Sequence, residues 1–338
     1  MTNSSLHNSG RIPATIISGF LGSGKTTLLN RILQADIGLR AAVLVNDFGS
    51  INIDSQLIKS HDGKVMSLAN GCICCNVSDD LIGQLDALID QEDPPECFLI
   101  EASCVSDPGR IARILNYRMF RDRVRIDAIV NVLDAGQFSA TPEEFRDLAQ
   151  WQLKQADIVI INKVDQCDEQ QLAALKQQWL APTARVLETT FANVPMSLIL
   201  GVEVHTGQQT DCSDHDCKDE GHNHSEHSHS HAHADSTNHA DLFESISWQC
   251  DRPLNLDVLK AAVKDLPADI YRAKGIFQIE NKPDSRTVMQ MVGSRIDWSE
   301  EQTPKPENNG SSLIMIAQKG VVDFDDVQRG LDSSLLNG

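Results

Sequence analysis

Positive charge is scarce in this 338-residue chain: Lys and Arg number 29 against 48 Asp and Glu, a formal net charge of −19. That balance argues against a nucleic-acid partner or an anionic membrane surface, because both bind basic patches. Long apolar runs are missing too, and none approaches the roughly 18 residues that a membrane-spanning helix needs. The stretch from Met1 to Gly10 is rich in Ser and Asn and carries no apolar segment, so nothing there reads as a secretory signal. The expected compartment is the cytoplasm. Wholesale disorder is excluded in turn, since 41% of the residues are hydrophobic, enough for real cores. The length suggests about two domains.

The pattern of a disulfide framework is also absent. The nine cysteines are odd in number and sit in a long chain without a signal. Three crowd into Cys72-Ile73-Cys74-Cys75, and the rest are scattered. In a reducing compartment, clustered thiols more often bind metal or do redox chemistry than cross-link the chain.

What is present from residue 11 to about 204 is the alternation of short apolar runs with helix-period segments that marks an α/β domain on a mostly parallel, doubly wound sheet. Strands are expected at Ala14–Ser18, Ala41–Val45, Val65–Leu68, Cys97–Ile100, Ile126–Leu133, Ile158–Ile161 and Arg185–Leu187. They are rich in Val and Ile, as strands covered on both faces should be. Helices are expected at Thr26–Leu33, Ile111–Tyr117, Phe145–Lys154 and Glu169–Trp179.

Residues 205–242 change character. Nine of the eleven histidines fall between His205 and His239, and almost nothing there could form a core. This acidic, His-rich stretch reads as a disordered linker. Its imidazoles, His222, His224, His227, His229, His231 and His233 among them, suit weak and exchangeable metal buffering. A solvated spacer is the bland alternative.

A second, smaller α+β domain is expected over 243–335. Its strands are placed at Phe243–Trp248, Ile276–Glu280, Val288–Val292 and Leu313–Ile316, its helices at Leu256–Leu266 and Phe324–Leu331, and a polar loop at 300–311. Arg272 and Lys274 are open to two readings, as groups facing the nucleotide or a partner, or as surface charges flanking a strand.

The chemistry begins with Gly19-Phe20-Leu21-Gly22-Ser23-Gly24-Lys25-Thr26, which fits G-x-x-x-x-G-K-[ST] after an apolar strand and before a helix continuing through Thr27. Glycines let backbone N–H groups close around phosphate oxygens, and the helix N-terminus adds partial positive charge. Lys25 is expected to reach the β- and γ-phosphates and the Thr26 hydroxyl to ligate Mg²⁺. Asn162-Lys163-Val164-Asp165 follows a strand, where an N-K-x-D selects guanine: one carboxylate, Asp165, accepts from both the ring N–H and the exocyclic amine. Glu101, at the tip of a buried strand, is placed to orient Mg²⁺ or the attacking water. Asp134, ending the strand 126–133, reads as structural.

Cys72, Cys74 and Cys75 are spaced to converge on one soft or borderline cation. Three thiolates leave one tetrahedral position of Zn²⁺ open, which suits a metal meant to be passed on. Zn²⁺ is expected first, with Co²⁺ and Cu⁺ as alternatives; unliganded thiols or a redox switch compete with all three.

Taken together, GFLGSGKTT at 19–27, VNDFG at 45–49, NGCICCNVSDDL at 70–81, IEAS at 100–103 and NKVD at 162–165 make the sequence resemble the CobW-type metal-handling P-loop GTPases. The resemblance extends to the PLNLDVLKAAVKDLP and IYRAKG segments of the C-terminal part. It implies a Mg²⁺-dependent GTPase that binds a transition metal at the three cysteines and delivers it to a client metalloprotein, with the zinc-handling branch favoured. Cobalt delivery for cobalamin or nitrile hydratase maturation is the alternative, as is a metal sensor or store with little turnover. Asp47 stands where the family prefers Glu in Asn-Glu-Phe-Gly, in the loop expected to sense the γ-phosphate and take part in catalysis. Cys104 stands where the family has Gly. In a doubly wound sheet these strand ends face one edge, so bound GTP and bound metal are expected to influence each other.

Overall fold

The computed structural model describes residues 10–35, 40–45, 65–68, 77–201, 242–282, 284–302 and 310–335. Seven strands, β1 (Ile12–Ser18), β2 (Ala41–Val45), β3 (Val65–Leu68), β4 (Cys97–Glu101), β5 (Val124–Asp134), β6 (Ile158–Asn162) and β7 (Val186–Glu188), form one sheet in the order β3-β2-β4-β1-β5-β6-β7. Every pairing in it is parallel. The expected strands are all there, with boundaries shifted by a residue or two.

Parallel strands need crossovers, and the helices that supply them are α1 (Lys25–Gln34), α2 (Val77–Ile89), α3 (Pro108–Leu115), α4 (Glu143–Gln155) and α5 (Glu169–Trp179), while the short α6 (Met196–Ile199) follows the last strand, β7. Because side chains alternate across a strand, β4 serves two cores. Leu99 joins Leu28, Leu29 and Ile32 of α1 on one face, while Phe98 and Ile100 join Leu85 and Leu88 of α2 and Ile111 and Ile114 of α3 on the other. Local chemistry sets the helix starts. Asp107 accepts from the Gly109 amide at 2.8 Å ahead of Pro108, and Asp168 and Gln171 form a capping box at the start of α5. Helix α2 was not anticipated, although Leu81, Leu85 and Leu88 recur at helical spacing along its buried side.

The second sheet contains β8 (Phe243–Cys250), β9 (Ile270–Phe277), β10 (Ser285–Val292), β11 (Arg295–Gln302) and β12 (Ser311–Gln318) in the order β11-β10-β9-β12-β8, all antiparallel. Helices α7 (Leu256–Lys264) and α8 (Phe324–Asp332) cover one face, with Leu259, Val263, Val327 and Leu331 packed on Phe277, Met289 and Met315. Two expectations are corrected. The strand placed at Ile276–Glu280 is instead Ile270–Phe277, its polar Arg272 and Lys274 having masked the alternation. The segment from 300, expected as loop, begins inside β11, whose Ile296 and Trp298 face the core while Asp297, Ser299 and Glu301 fall on the opposite face.

The two sheets meet at one edge of the parallel sheet. Asp127 lies near the start of β5, Asp157 immediately precedes β6 and Arg185 precedes β7, so all three stand at the edge where strands begin. Arg272 donates to Asp127 at 2.7 Å and to the Leu198 carbonyl at 3.3 Å, Arg295 pairs with Asp157 at 2.9 Å, and the Tyr271 hydroxyl donates to the Val186 carbonyl at 2.9 Å. Tyr271 and Val292 are buried in the same core as Ile158, Ile160 and Leu187. Arg272 is therefore neither a surface charge nor a group facing the nucleotide; it is a buried strut between domains. Among the described residues no helix is long and apolar enough to cross a membrane.

Candidate nucleotide site

The opposite edge, where strands end, carries the chemistry. Ser18 ends β1, Glu101 ends β4, Asp134 ends β5 and Asn162 ends β6. Between Ser18 and α1 the loop Gly19–Gly24 turns back over the helix N-terminus, and three of its residues adopt left-handed φ: Gly19 at 138°, Gly22 at 76° and Gly24 at 110°. Two of these positions need glycine for space as well. A Cβ on Gly19 would collide with the Val132 carbonyl, and one on Gly24 with the Asn162 side-chain nitrogen. Side chains at these two positions are thereby excluded, and the loop backbone is left uncovered by Cβ atoms there. Ser23 Oγ is buried there with no hydrogen-bond partner among the described residues, and the buried Lys25 donates from Nζ to the Phe20 carbonyl at 3.2 Å, across the turn. Thr26 and Thr27 open α1. Such a cradle fits a polyphosphate.

Thr26 Oγ1 lies 3.5 Å from Glu101 Oε1, and Glu101 is buried at the end of its strand. A hydroxyl and a carboxylate converging beside a phosphate cradle are hard oxygen donors of the kind Mg²⁺ takes. The loop beyond Glu101 is gripped from α4: Gln152 donates to the carbonyls of Cys104 at 3.3 Å and Ser106 at 2.8 Å, and Trp151 donates to Asp107 at 3.0 Å. Cys104 is not among the residues with positive φ, so a side chain is accommodated there without backbone strain.

Asn162 links the two sequence motifs. Its Nδ2 donates to the Ser23 carbonyl at 2.9 Å and its Oδ1 accepts from the Ala192 amide at 2.9 Å. One side chain therefore ties the phosphate loop, the end of β6 and the loop after β7 together. That last loop, Thr189–Ala192, escaped the sequence reading because it acts through its backbone. The Ala192 amide makes the bond to Asn162, the Thr189 hydroxyl donates to the Asn193 carbonyl at 2.8 Å and steadies the loop, and Phe191 and Ala192 take left-handed φ of 53° and 52°. Lys163 is also left-handed, at φ 61°, and its ammonium pairs with Asp134 at 2.7 Å. Asp165 follows in a short 3₁₀ turn with its side chain exposed at the same edge.

Cys72, Cys74, Cys75, Asp47 and the six linker histidines lie outside the described residues. Among the described residues, no three His, Cys, Asp or Glu side chains are close enough to hold a metal ion.

A parallel sheet whose first strand runs through a glycine cradle into a helix, with a base-side loop pinned to it, defines a P-loop nucleotide-binding protein. Residues 13–187 match the CobW/HypB/UreG nucleotide-binding domain, and residues 243–335 match the cobalamin synthesis protein cobW C-terminal domain. The chain belongs to this family. It is 31% identical to a zinc chaperone CobW of Pseudomonas aeruginosa, covering 91% of this chain and 88% of that one. It is 29% identical to a zinc chaperone CobW of Sinorhizobium sp, covering 94% and 95%. The Zn(II)-bound YjiA GTPase from E. coli is a similar solved structure at 19% identity and a TM-score of 0.44, covering 96% of this chain and 99% of that one.

Proposed function

We propose that the protein hydrolyses GTP and uses the cycle to carry a transition metal, zinc first, to a client metalloprotein. The observation that carries the nucleotide half is the placement of Asn162, which locks the phosphate loop against the base-side loop and leaves Asp165 at the same edge as Lys25. Asp165 then reads guanine through two hydrogen bonds that adenine does not offer. Gly19, Gly22, Ser23 and Gly24 wrap the phosphates, Lys25 supplies a cation to the β- and γ-phosphates, and Thr26 and Glu101 would hold Mg²⁺. That ion, when bound, neutralises charge on the β- and γ-oxygens. The alternative role for Glu101 is to orient the attacking water, and Asp47 belongs to the loop that senses the γ-phosphate.

The metal half rests on the thiol sequence and on the relatives named zinc chaperones. Cys72, Cys74 and Cys75 fall in the segment joining β3, whose last residue Leu68 pairs beside Leu44, to α2. The strand end that feeds them is thus on the edge that carries Lys25 and Glu101. Zn²⁺ held by three thiolates is cargo, and its affinity is tied to the bound nucleotide by linkage. Zinc is preferred over cobalt on the names of the relatives, since thiolates alone accept both.

Phosphate release from GTP tests the first half: sustained turnover that Lys25→Ala abolishes supports it, and none in the wild type refutes it. Metal analysis of protein purified from zinc-limited cells, with identification of the apo-protein it accompanies, tests the second.

A further inference from the structure

Asp134 is only 6% exposed and uses both carboxylate oxygens. Oδ1 accepts from the Gly136 amide at 3.0 Å and the Gln137 amide at 3.2 Å, closing the turn after β5. Oδ2 takes the Lys163 ammonium at 2.7 Å. The two residues meet because β5 and β6 pair Asp134 with Asn162, and the Ala135 amide bonds the Asn162 carbonyl at 2.9 Å. Lys163 holds a left-handed backbone at φ 61°, a conformation that L side chains other than Asn and Asp rarely adopt and that persists only where surrounding contacts impose it. On its far side the Val164 amide bonds the Thr189 carbonyl at 3.2 Å. Two tethers, one electrostatic and one through the backbone, therefore hold the start of the turn Val164–Gln166 that carries Asp165.

We propose that Asp134 is a positioning residue for base selection. Its carboxylate anchors Lys163, fixes the left-handed turn, and so aims Asp165 at the guanine edge. The proposal rests on the guanine reading given above and adds a residue outside the N-K-x-D sequence to the selectivity device. The phosphate-binding groups are attached to other strands, so the effect falls on discrimination between bases.

The test uses the full-length protein and three nucleotides, GTP, ITP and ATP. Asp134→Asn keeps an oxygen acceptor for the Gly136 and Gln137 amides while removing the charge that holds Lys163. GTP binding should weaken about tenfold, the weight of one charge-assisted hydrogen bond, while ATP binding is unchanged. The loss should appear in KM, with kcat at saturating GTP held within about twofold. Lys163→Met should give the same loss, and the double variant no further loss. Equal weakening of GTP and ATP with a lowered melting temperature would mean a merely structural carboxylate and overturn the proposal, as would unchanged discrimination. If the wild type itself shows no preference for GTP over ATP, the guanine reading fails and the proposal falls with it. A wild type that prefers GTP beside an Asp134→Asn variant that keeps that preference sinks the proposal alone.

Discussion

Gly24 and Asn162 are in direct contact: the asparagine nitrogen occupies the space a Cβ on the glycine would need, while donating to the neighbouring Ser23 carbonyl at 2.9 Å. The last glycine of the phosphate loop is thus required by the base-side motif as much as by phosphate. Gly24→Ala should force the two apart and also strain a backbone at φ 110°. Nucleotide affinity is expected to fall by at least about tenfold, from a strain of order 1–3 kcal/mol. Titration of a fluorescent GDP analogue checks this, and because the strain is present without ligand, the melting temperature of the nucleotide-free variant should fall by a few degrees as well.

The buried cluster of Arg125, Asp127 and Arg272 joins the domains at the edge far from the nucleotide. Burial alone would push the Asp127 carboxyl upward, but Arg272 and Arg125 outweigh it and bring it from 3.8 down to about 2. Asp127→Ala leaves two guanidinium groups buried without their partner, and should cost about 3–5 kcal/mol of unfolding free energy in urea. Arg272→Met should cost less, because Arg125 still pairs with the carboxylate. The sign of the pH effect follows. A depressed carboxyl contributes stability that is complete above its unfolded value and lost as pH falls through the folded one. The wild type should therefore lose stability between 3.8 and about 2 more steeply than Asp127→Ala.

Much of this architecture was legible in the chain because the signals were local. The glycine loop is written in side chains that are absent, and the buried strands of the parallel sheet in runs of Val and Ile. The C-terminal sheet was harder to read. Strand β9 presents Arg272 to an acid that lies 145 positions earlier in the chain, so its polarity looked like surface and its partner could not be inferred. Asp134 looked structural for the same reason, since its role depends on the register between β5 and β6. The loop Thr189–Ala192 contributes amides and carbonyls, which every sequence has and no motif records. The thiol and histidine readings belong to residues outside the described set, and they stand on sequence alone.

If Asp165 reads guanine by accepting two hydrogen bonds, changing it to an amide should invert the preference at one position. Asp165→Asn turns an acceptor into a donor, which repels the guanine amine and suits the 2-oxo group of xanthine. Discrimination of about tenfold or more towards XTP is expected, the usual penalty for leaving one such group mismatched. Competition between GTP and XTP for hydrolysis measures it. An unchanged GTP preference would move base recognition elsewhere in the site.

Nucleotide and metal should be coupled in both directions if the thiols sit at the switch edge. Zinc affinity measured with a chromophoric chelator should differ between the GTP- and GDP-bound protein by a factor of about 5–150, the usual span of allosteric coupling. Zinc must then shift GTP affinity by the same factor, so the two titrations check each other. Replacing Cys72, Cys74 and Cys75 with Ser should abolish the tight site and the coupling together while sparing nucleotide binding to metal-free protein. Deleting residues 211–241 should remove only weak, exchangeable sites, leaving turnover and the tight site unchanged. Equal zinc affinities in the two nucleotide states would separate the hydrolytic cycle from metal release, and the protein would then carry its metal without using GTP to let it go.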